Sequence, residues 1–393
     1  MNSDKYVALD VHSATVVAAV HNAAGKCVME SIIETKAKTI RDFINGITGN
    51  LHVGFEQGTH AHWLYDLIKP LVTEVIVCDP RHNKLILSGN KSDRIDANKL
   101  AQLLRQGSLR PVYQGESSLR ALKELALQYD AIVGDSVRVM NRIKAIYRGR
   151  AIACTGKQVY EPSSRQEWLE QLPEAAIRSR AQYLYRQLDC LIPIREEAQE
   201  AFLRESQRHS TTKILKGIPS LGPIRAAQIV AIVGTPHRFR TKRQFWAYCG
   251  FGIVTRSSAD YKIVNGRLER NTKKALTRGL NRNYSRRLKR VFKSAAIHGS
   301  THAFQAYFQQ LVGSGIRPEM ATLTLARKIS AISLAVWKSG EKFDAARLSN
   351  GSATALSARR QLKGKSSNNV DINITTGDSK PTTKGKATKR KSS

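Results

Sequence analysis

The 393-residue sequence predicts an α/β domain followed by a longer, mostly helical region. Three observations carry that expectation. Residues 5–33 contain three runs rich in β-branched residues. Residues 38–105 alternate helix and strand signals, and from about 115 onward apolar residues recur at three- and four-residue steps. A block of strands followed by alternating helices and strands favours a mixed sheet.

The first strands are "KYVALDV", "TVVAAVHN" and "KCVMESIIE", with "NAAGK" as the turn between the second and third. A short helix near 38–48 follows, then a strand "LHVGFEQ", a helix "HAHWLYDLIKPL" and a strand "EVIVCDP". The next helix runs through "NKSDRIDANKL", where Ala97, Leu100 and Leu104 recur at helical spacing and Asp93 and Asp96 share their face. Two readings fit that pair. Asp93 caps the helix or complements its dipole, or the two carboxylates hold a cation, which offsets the cost of placing like charges together.

From about 115 to 206 the pattern suggests long paired helices. They fit an interdomain or oligomerising arm, and an ordinary helical subdomain equally well. Residues 211–345 read as a second, mostly helical domain. After 350 the composition shifts to Ser, Thr, Gly, Lys and Asn, and such a segment cannot bury enough apolar surface to fold alone. The expected division is therefore 1–112, 113–206, 207–348 and a basic tail at 349–393.

Lys and Arg number 64 against 31 Asp and Glu, a formal net charge of +33. That surplus favours a polyanionic partner, nucleic acid above all. No apolar run reaches the ~20 residues of a spanning helix, and the N-terminus lacks a signal-peptide layout. Five scattered cysteines without a Cys-x-x-Cys pair argue against a zinc site and fit core thiols of a reducing cytoplasm.

Asp10 ends the apolar part of the first strand and Glu56 ends the fourth. If those strands are neighbours, both side chains converge at one sheet end, and the helix bearing Asp93 and Asp96 completes a four-carboxylate cluster. Oxygen-only ligation favours Mg²⁺ or Mn²⁺, and two such ions assist the attacking and leaving oxygens of phosphoryl transfer. The order of acids on three strands, helix, strand, helix, strand, helix is the layout of an RNase H-like fold.

In the second domain, "GIPSLGPIRAAQIVAIVG" fits a helix-hairpin-helix element. Pro219, Gly222 and Pro223 would form its turn, and free backbone N–H groups at the next helix would meet phosphate. Further on, Ser257 and Ser258 lie in a small-residue loop flanked by Arg256 and Lys262. A basic helix bearing Arg270, Lys273, Lys274, Arg278 and Arg282 is expected after them. Such neighbours suit phosphate, although a loop serine is ordinarily explained by turn chemistry. No His or Asp at useful spacing marks a hydrolase triad.

Two blocks, "ALDVHSATVVAAV…VGFEQGTHAHWLYDLI…KSDRIDANKLAQLL" and "LKGIPSLGPIRAAQIVAIVG" through the serine loop, resemble insertion-sequence transposases of the DEDD–serine class, the IS110 family, which is related to Piv-type DNA invertases. The resemblance covers roughly residues 5–340. It implies a RuvC-like domain with Asp10, Glu56, Asp93 and Asp96 as metal ligands, and a C-terminal transposase domain with a nucleophilic serine. Alignment favours Ser258, with Ser257 the fallback. It further implies a structured bridge RNA that pairs with donor and target DNA, and dimers to tetramers whose active sites combine domains of different protomers. A prokaryotic, nucleoid-associated location follows from it as well. The sequence departs from the family loop in reading Ser257-Ser258-Ala259-Asp260 where glycines are usual, and in Arg270-Asn271 where a glycine-asparagine step is expected. The expected activity is DNA strand cleavage and rejoining without net hydrolysis. The alternatives are a metal-dependent hydrolytic nuclease or junction resolvase, and a non-catalytic nucleic-acid-binding relative.

Overall fold

The computed structural model describes residues 3–82, 92–115, 117–256, 261–264, 267–270 and 276–344. The chain opens with β1 (Asp4–Val11), β2 (Thr15–Asn22) and β3 (Cys27–Glu34), followed by α1 (Ala37–Asn45), β4 (Asn50–Glu56), α2 (Ala61–Ile68), β5 (Glu74–Cys78) and α3 (Asp93–Arg105). The five strands form one mixed sheet in the order β3-β2-β1-β4-β5. β1–β2 and β2–β3 pair antiparallel, and β1–β4 and β4–β5 pair parallel. Gly25 makes the β2–β3 turn at φ +86°, with its N–H donating to the Asn22 carbonyl.

Strand alternation sorts the side chains onto two faces. Val7, Leu9, Val16, Ala18, Val53 and Phe55 pack against Ile40 and Ile44 of α1 and Leu64 and Ile68 of α2. The intervening Ala8, Val17 and Ala19 pack against Ala97, Leu100, Ala101 and Leu104 of α3. Small residues on that second face let α3 lie close. A Cβ on Gly54 would come within 3.1 Å of Leu104. Asp10 and Glu56 have the parity of Ala8 and Gly54, so both belong to the face that α3 covers.

Beyond the sheet come α4 (Arg120–Arg148), α5 (Arg165–Glu170) and α6 (Ala175–Ser206). α4 and α6 lie side by side. Val139, Ile143 and Tyr147 meet Ala181, Tyr185 and Leu188 in one cluster. The other ends of the two helices, at Leu122, Ala126, Ala198 and Phe202, join a second cluster with the helices that follow. Those are α7 (Ser210–Lys216), α8 (Pro223–Val233), α9 (Lys242–Tyr248), α10 (Arg286–Ser300), α11 (Gln305–Gly313) and α12 (Pro318–Ser339). Between α9 and α10 lie β6 (Ile253–Arg256), β7 (Tyr261–Val264), β8 (Arg267–Arg270) and β9 (Leu276–Leu280), paired as two antiparallel ladders, β6–β9 and β7–β8.

Three expectations need correction. The segment expected as a basic helix carries strands instead: Arg270 ends β8 and Arg278 lies in β9. Gly279 within it takes φ +97°, outside the helical region, and Tyr261, Ile263 and Leu268 are exposed along the adjoining β7–β8 ladder. Asp93 does not cap α3. Ser92 does, its hydroxyl accepting from the Ile95 N–H. The cysteines are not all core residues either, since Cys27 and Cys190 are exposed and only Cys78, Cys154 and Cys249 are buried. The predicted tail falls outside the described residues. Among those described, no helix is long and apolar enough to cross a membrane.

Candidate active site

Parallel pairing of β1 with β4 in the register Leu9↔Phe55 places Asp10 beside Glu56 at one end of the sheet. Both line a cavity of about 160 Å³, with Gln57 and His60 at its rim. α3 enters from the covered face with Asp93 and Asp96 in its first turn, where carboxylates also meet the positive end of the helix dipole. Because Ser92 performs the capping, neither aspartate is consumed by it.

His12 connects these acids. Two residues after Asp10, it keeps the same side of the chain, and its Nε2 lies 3.3 Å from Asp10 Oδ2 and 3.6 Å from Asp93 Oδ2. One donor atom from each of Asp10, His12 and Asp93 falls within a 4.8 Å group. Burial raises the Asp10 carboxyl, His12 opposes that rise, and the charges of Asp93 and then Asp96 add to it. Asp93 is exposed, with 62% of its side chain accessible, so the inward stripe expected from helical periodicity begins effectively at Asp96. The Asp96 Oδ1 atom is buried and has no hydrogen-bond partner among the described residues. A buried carboxylate oxygen without a donor, beside an aspartate that its charge and that of Asp93 push up, suits a cation.

The structure thus brings Asp10 and Asp93 together through His12, sets Asp96 near enough to act on Asp10, and puts Glu56 in the same cavity wall as Asp10. His12 was not singled out from the sequence. The signal was present in "LDVH", where a histidine two residues beyond a strand-end acid shares its face.

The second set of sequence-predicted residues is distributed differently. Gly222 is the N-cap of α8, with Pro223 at the first helical position. The left-handed residue in the preceding turn is Ser220, at φ +69°, rather than a glycine. Arg256 ends β6 and Lys262 lies in β7, while Arg282 is exposed just after β9. Ser257, Ser258, Lys273 and Lys274 lie outside the described residues. One contact ties this region to the sheet domain. Arg81, just beyond β5, donates from Nη1 to Asn283 Oδ1 at 3.3 Å.

Two family models match the chain. A transposase model of the DEDD type associated with IS110 matches residues 7–149, and a model described as "Transposase IS116/IS110/IS902 family" matches residues 212–310. The chain belongs to the IS110 family of transposases. The first IS110 match contains all four acids and His12, and the second runs from α7 through the serine segment into α11.

Similar proteins include the "Transposase for insertion sequence element IS1111A" of Coxiella burnetii, 24% identical over 53% of this chain and 58% of that protein. A "Putative transposase y4pF/y4sB" of Sinorhizobium fredii is 24% identical over 73% of this chain and 72% of its own length. The "Mini-circle putative transposase for IS117" of Streptomyces coelicolor is 30% identical over 28% of this chain and 27% of that protein. The chain therefore spans less than two thirds of the Coxiella relative.

Proposed function

We propose that the protein is a DNA recombinase that cuts and rejoins strands through a covalent serine–DNA link. The observation that carries this reading is the convergence of Asp10, His12 and Asp93, with Asp96 beside them, at the open end of a sheet. The strand order β3-β2-β1-β4-β5, with three antiparallel-linked strands followed by two parallel ones, supports an RNase H-like (RuvC-like) domain. The α7–turn–α8 pair, with its Gly222-Pro223 helix start, supports a helix-hairpin-helix element. We place the domain limits at 1–112, 113–206, 207–348 and 349–393, with the α4–α6 pair as an oligomerising arm.

Asp10, Glu56, Asp93 and Asp96 would hold Mg²⁺ or Mn²⁺, with His12 as an added donor. A metal held there would supply charge neutralisation for the scissile phosphate and the leaving oxygen. The protein's own groups do the rest. Ser258, or Ser257 in its place, loses its proton as its Oγ attacks phosphorus. The phosphorus–oxygen bond to the sugar breaks, and the sugar oxygen takes up a proton in place of the one the serine releases and departs as a hydroxyl. Attack by a sugar hydroxyl on the serine ester reverses those bonds, so no water is consumed. Arg256, Lys262, Arg270, Lys273, Lys274, Arg278 and Arg282 supply positive charge for the phosphates. Donor and target DNA are the substrates, a structured bridge RNA selects them, and assemblies up to tetramers complete the sites between protomers.

Denaturing electrophoresis of the protein mixed with labelled element-end DNA, its RNA and Mg²⁺ tests this reading. A protein–DNA adduct is expected. Cut DNA without an adduct would make the protein a hydrolytic nuclease, and intact DNA a binding relative.

A further inference from the structure

A second cavity, of about 330 Å³, opens between the sheet domain and the helical region. His62 on α2, Gln114, Arg120 and Lys123 at the start of α4, Arg238, and Arg287 on α10 contribute to its wall. We propose that this cavity seats a backbone phosphate of the nucleic acid on which the protein acts, apart from the phosphate held at the carboxylates. The inference rests on the nucleic-acid-processing function proposed above.

The cations of the wall are not all neutralised by carboxylates. Arg120 pairs with Asp66 and Arg287 with Asp130, each at 2.5 Å. Lys123 and Arg238 make no carboxylate ion pair among the described residues and contact neutral groups, although Glu124 also lines the cavity. Lys123 Nζ lies 2.9 Å from His62 Nε2, a contact that needs the imidazole unprotonated at that nitrogen. Arg238 lies over the rings of Tyr113 and Tyr248, at 4.4 and 5.0 Å, and donates from Nη1 to the Val233 carbonyl. Burial lowers the Lys123 ammonium. Glu124 counters that effect, while Arg287, Arg238 and Arg120 push the ammonium further down. Burial also lowers His62, and Lys123 adds to the effect. Concentrated positive charge in a half-enclosed space is unfavourable until an anion enters, and a phosphate oxygen accepts from ammonium and guanidinium alike.

The backbone points the same way. α4, 29 residues long, starts at Arg120, and its N-cap is Leu119, which lines the cavity and has no side-chain oxygen to accept from the first-turn N–H groups. The first-turn N–H groups left over by the 3₁₀ turn Ser117–Leu119, together with the helix dipole, add to the attraction for an anion. The cavity also adjoins the carboxylate centre. Gln114 Nε2 donates to Gln57 Oε1 at 2.9 Å, and Gln57 lines the cavity that Asp10 and Glu56 share. Two phosphates of one bound strand can therefore be held on either side of this amide pair.

The test uses the full-length protein and three probes: a duplex DNA oligonucleotide, a single-stranded RNA of equal length, and inorganic phosphate. Lysine acylation with mass-spectrometric mapping should show Lys123 slowed at least about fivefold by one of the polymers, which also identifies the source of the phosphate. For that polymer, Lys123→Met should reduce the slope of log affinity against log salt by about 0.7 for RNA or 0.9 for DNA, and Lys123→Arg should restore it. Protection by inorganic phosphate alone, with neither polymer protecting, overturns the assignment. So does unchanged acylation while a polymer is demonstrably bound, or a slope that Lys123→Met leaves intact. If the unaltered protein binds neither polymer, the proposed function fails and this inference with it. If Lys123→Met does not fold, the acylation of the unaltered protein decides.

Discussion

The carboxylate end of the sheet and the segment from β6 to β9 carry the two halves of the proposed chemistry, and they are built in opposite ways. Asp10 and Glu56 sit on neighbouring strands in fixed register, and α3 packs across them through Ala97, Leu100 and Leu104. Every acid is held by an element with its own buried face. The described strands from β6 to β9 instead form two two-stranded ladders, with Ile263 and Leu268 facing each other and largely exposed. Two-stranded ladders are marginal on their own. The acids are thus preorganised by elements that each pack into a core, whereas the ladders around the proposed nucleophile have no such support among the described residues.

The largest expected effect comes from the preorganised half. Asp10→Ala or Asp93→Ala should reduce strand cleavage roughly 10²–10³-fold or more, the scale of losing an electrostatic contact in a transition state. Circular dichroism should remain native, and EDTA should mimic both variants. Full cleavage in EDTA would remove the metal from the account.

Next comes the serine half. Ser258→Ala should eliminate the covalent adduct while binding persists, because the Arg and Lys residues remain. Ser257→Ala should cost much less, since an adjacent hydroxyl is not aligned for attack. Mixing Ser258→Ala with Asp93→Ala protein sharpens the comparison. Recovery of activity means that the two halves come from different protomers, and a dead mixture means that each site lies within one chain.

His12 gives a smaller effect. His12→Ala should weaken Mn²⁺ binding at least about 10- to 100-fold, the range already seen for losing a group that only supports the ligands, measured by calorimetry without DNA. An unchanged affinity would leave His12 as a surface partner of Asp10.

The preorganised acids also cost the fold something without metal. The folded-state Asp10 carboxyl is raised, so the native state binds more protons than the unfolded chain between the ordinary and the raised value. Stability from this group therefore falls as pH rises through that window. Asp10→Asn should raise the melting temperature at neutral pH in EDTA, by no more than about 2–4 °C, and the gain should vanish at low pH, where Asp10 is protonated. A melting temperature lowered at neutral pH would mean that Asp10 stabilises the fold as an anion.

How far the sequence could be read follows the same division. The strands and helices of the first 105 residues were legible because each has one buried face, which leaves a period of two or 3.6 in "VALDV" or "IDANKLAQLL". That period also placed Asp10, Glu56 and Asp96. It could not show that Ser92 would take over capping from Asp93, because the two are adjacent and both suit a helix start. Nor did it show His12, whose role depends on an acid about eighty positions away. The stretch from Arg270 to Arg282 was misread as helix because exposed strands carry no buried-face period, and abundant Arg and Lys are good helix formers. The cavity at Lys123 was invisible for another reason. Its wall is assembled from α2, α4, α10 and the turn after α8, and no local pattern encodes such a meeting.

In the proposed reaction the carboxylate centre drives attack by Ser258. The most direct test is mass-spectrometric mapping of the residue bonded to DNA after reaction with and without Mg²⁺. The account predicts a nucleotide on Ser258 that is absent in EDTA and absent from the Asp93→Ala protein. Cut DNA with no nucleotide on any residue, or the same serine adduct formed undiminished in EDTA, would contradict it.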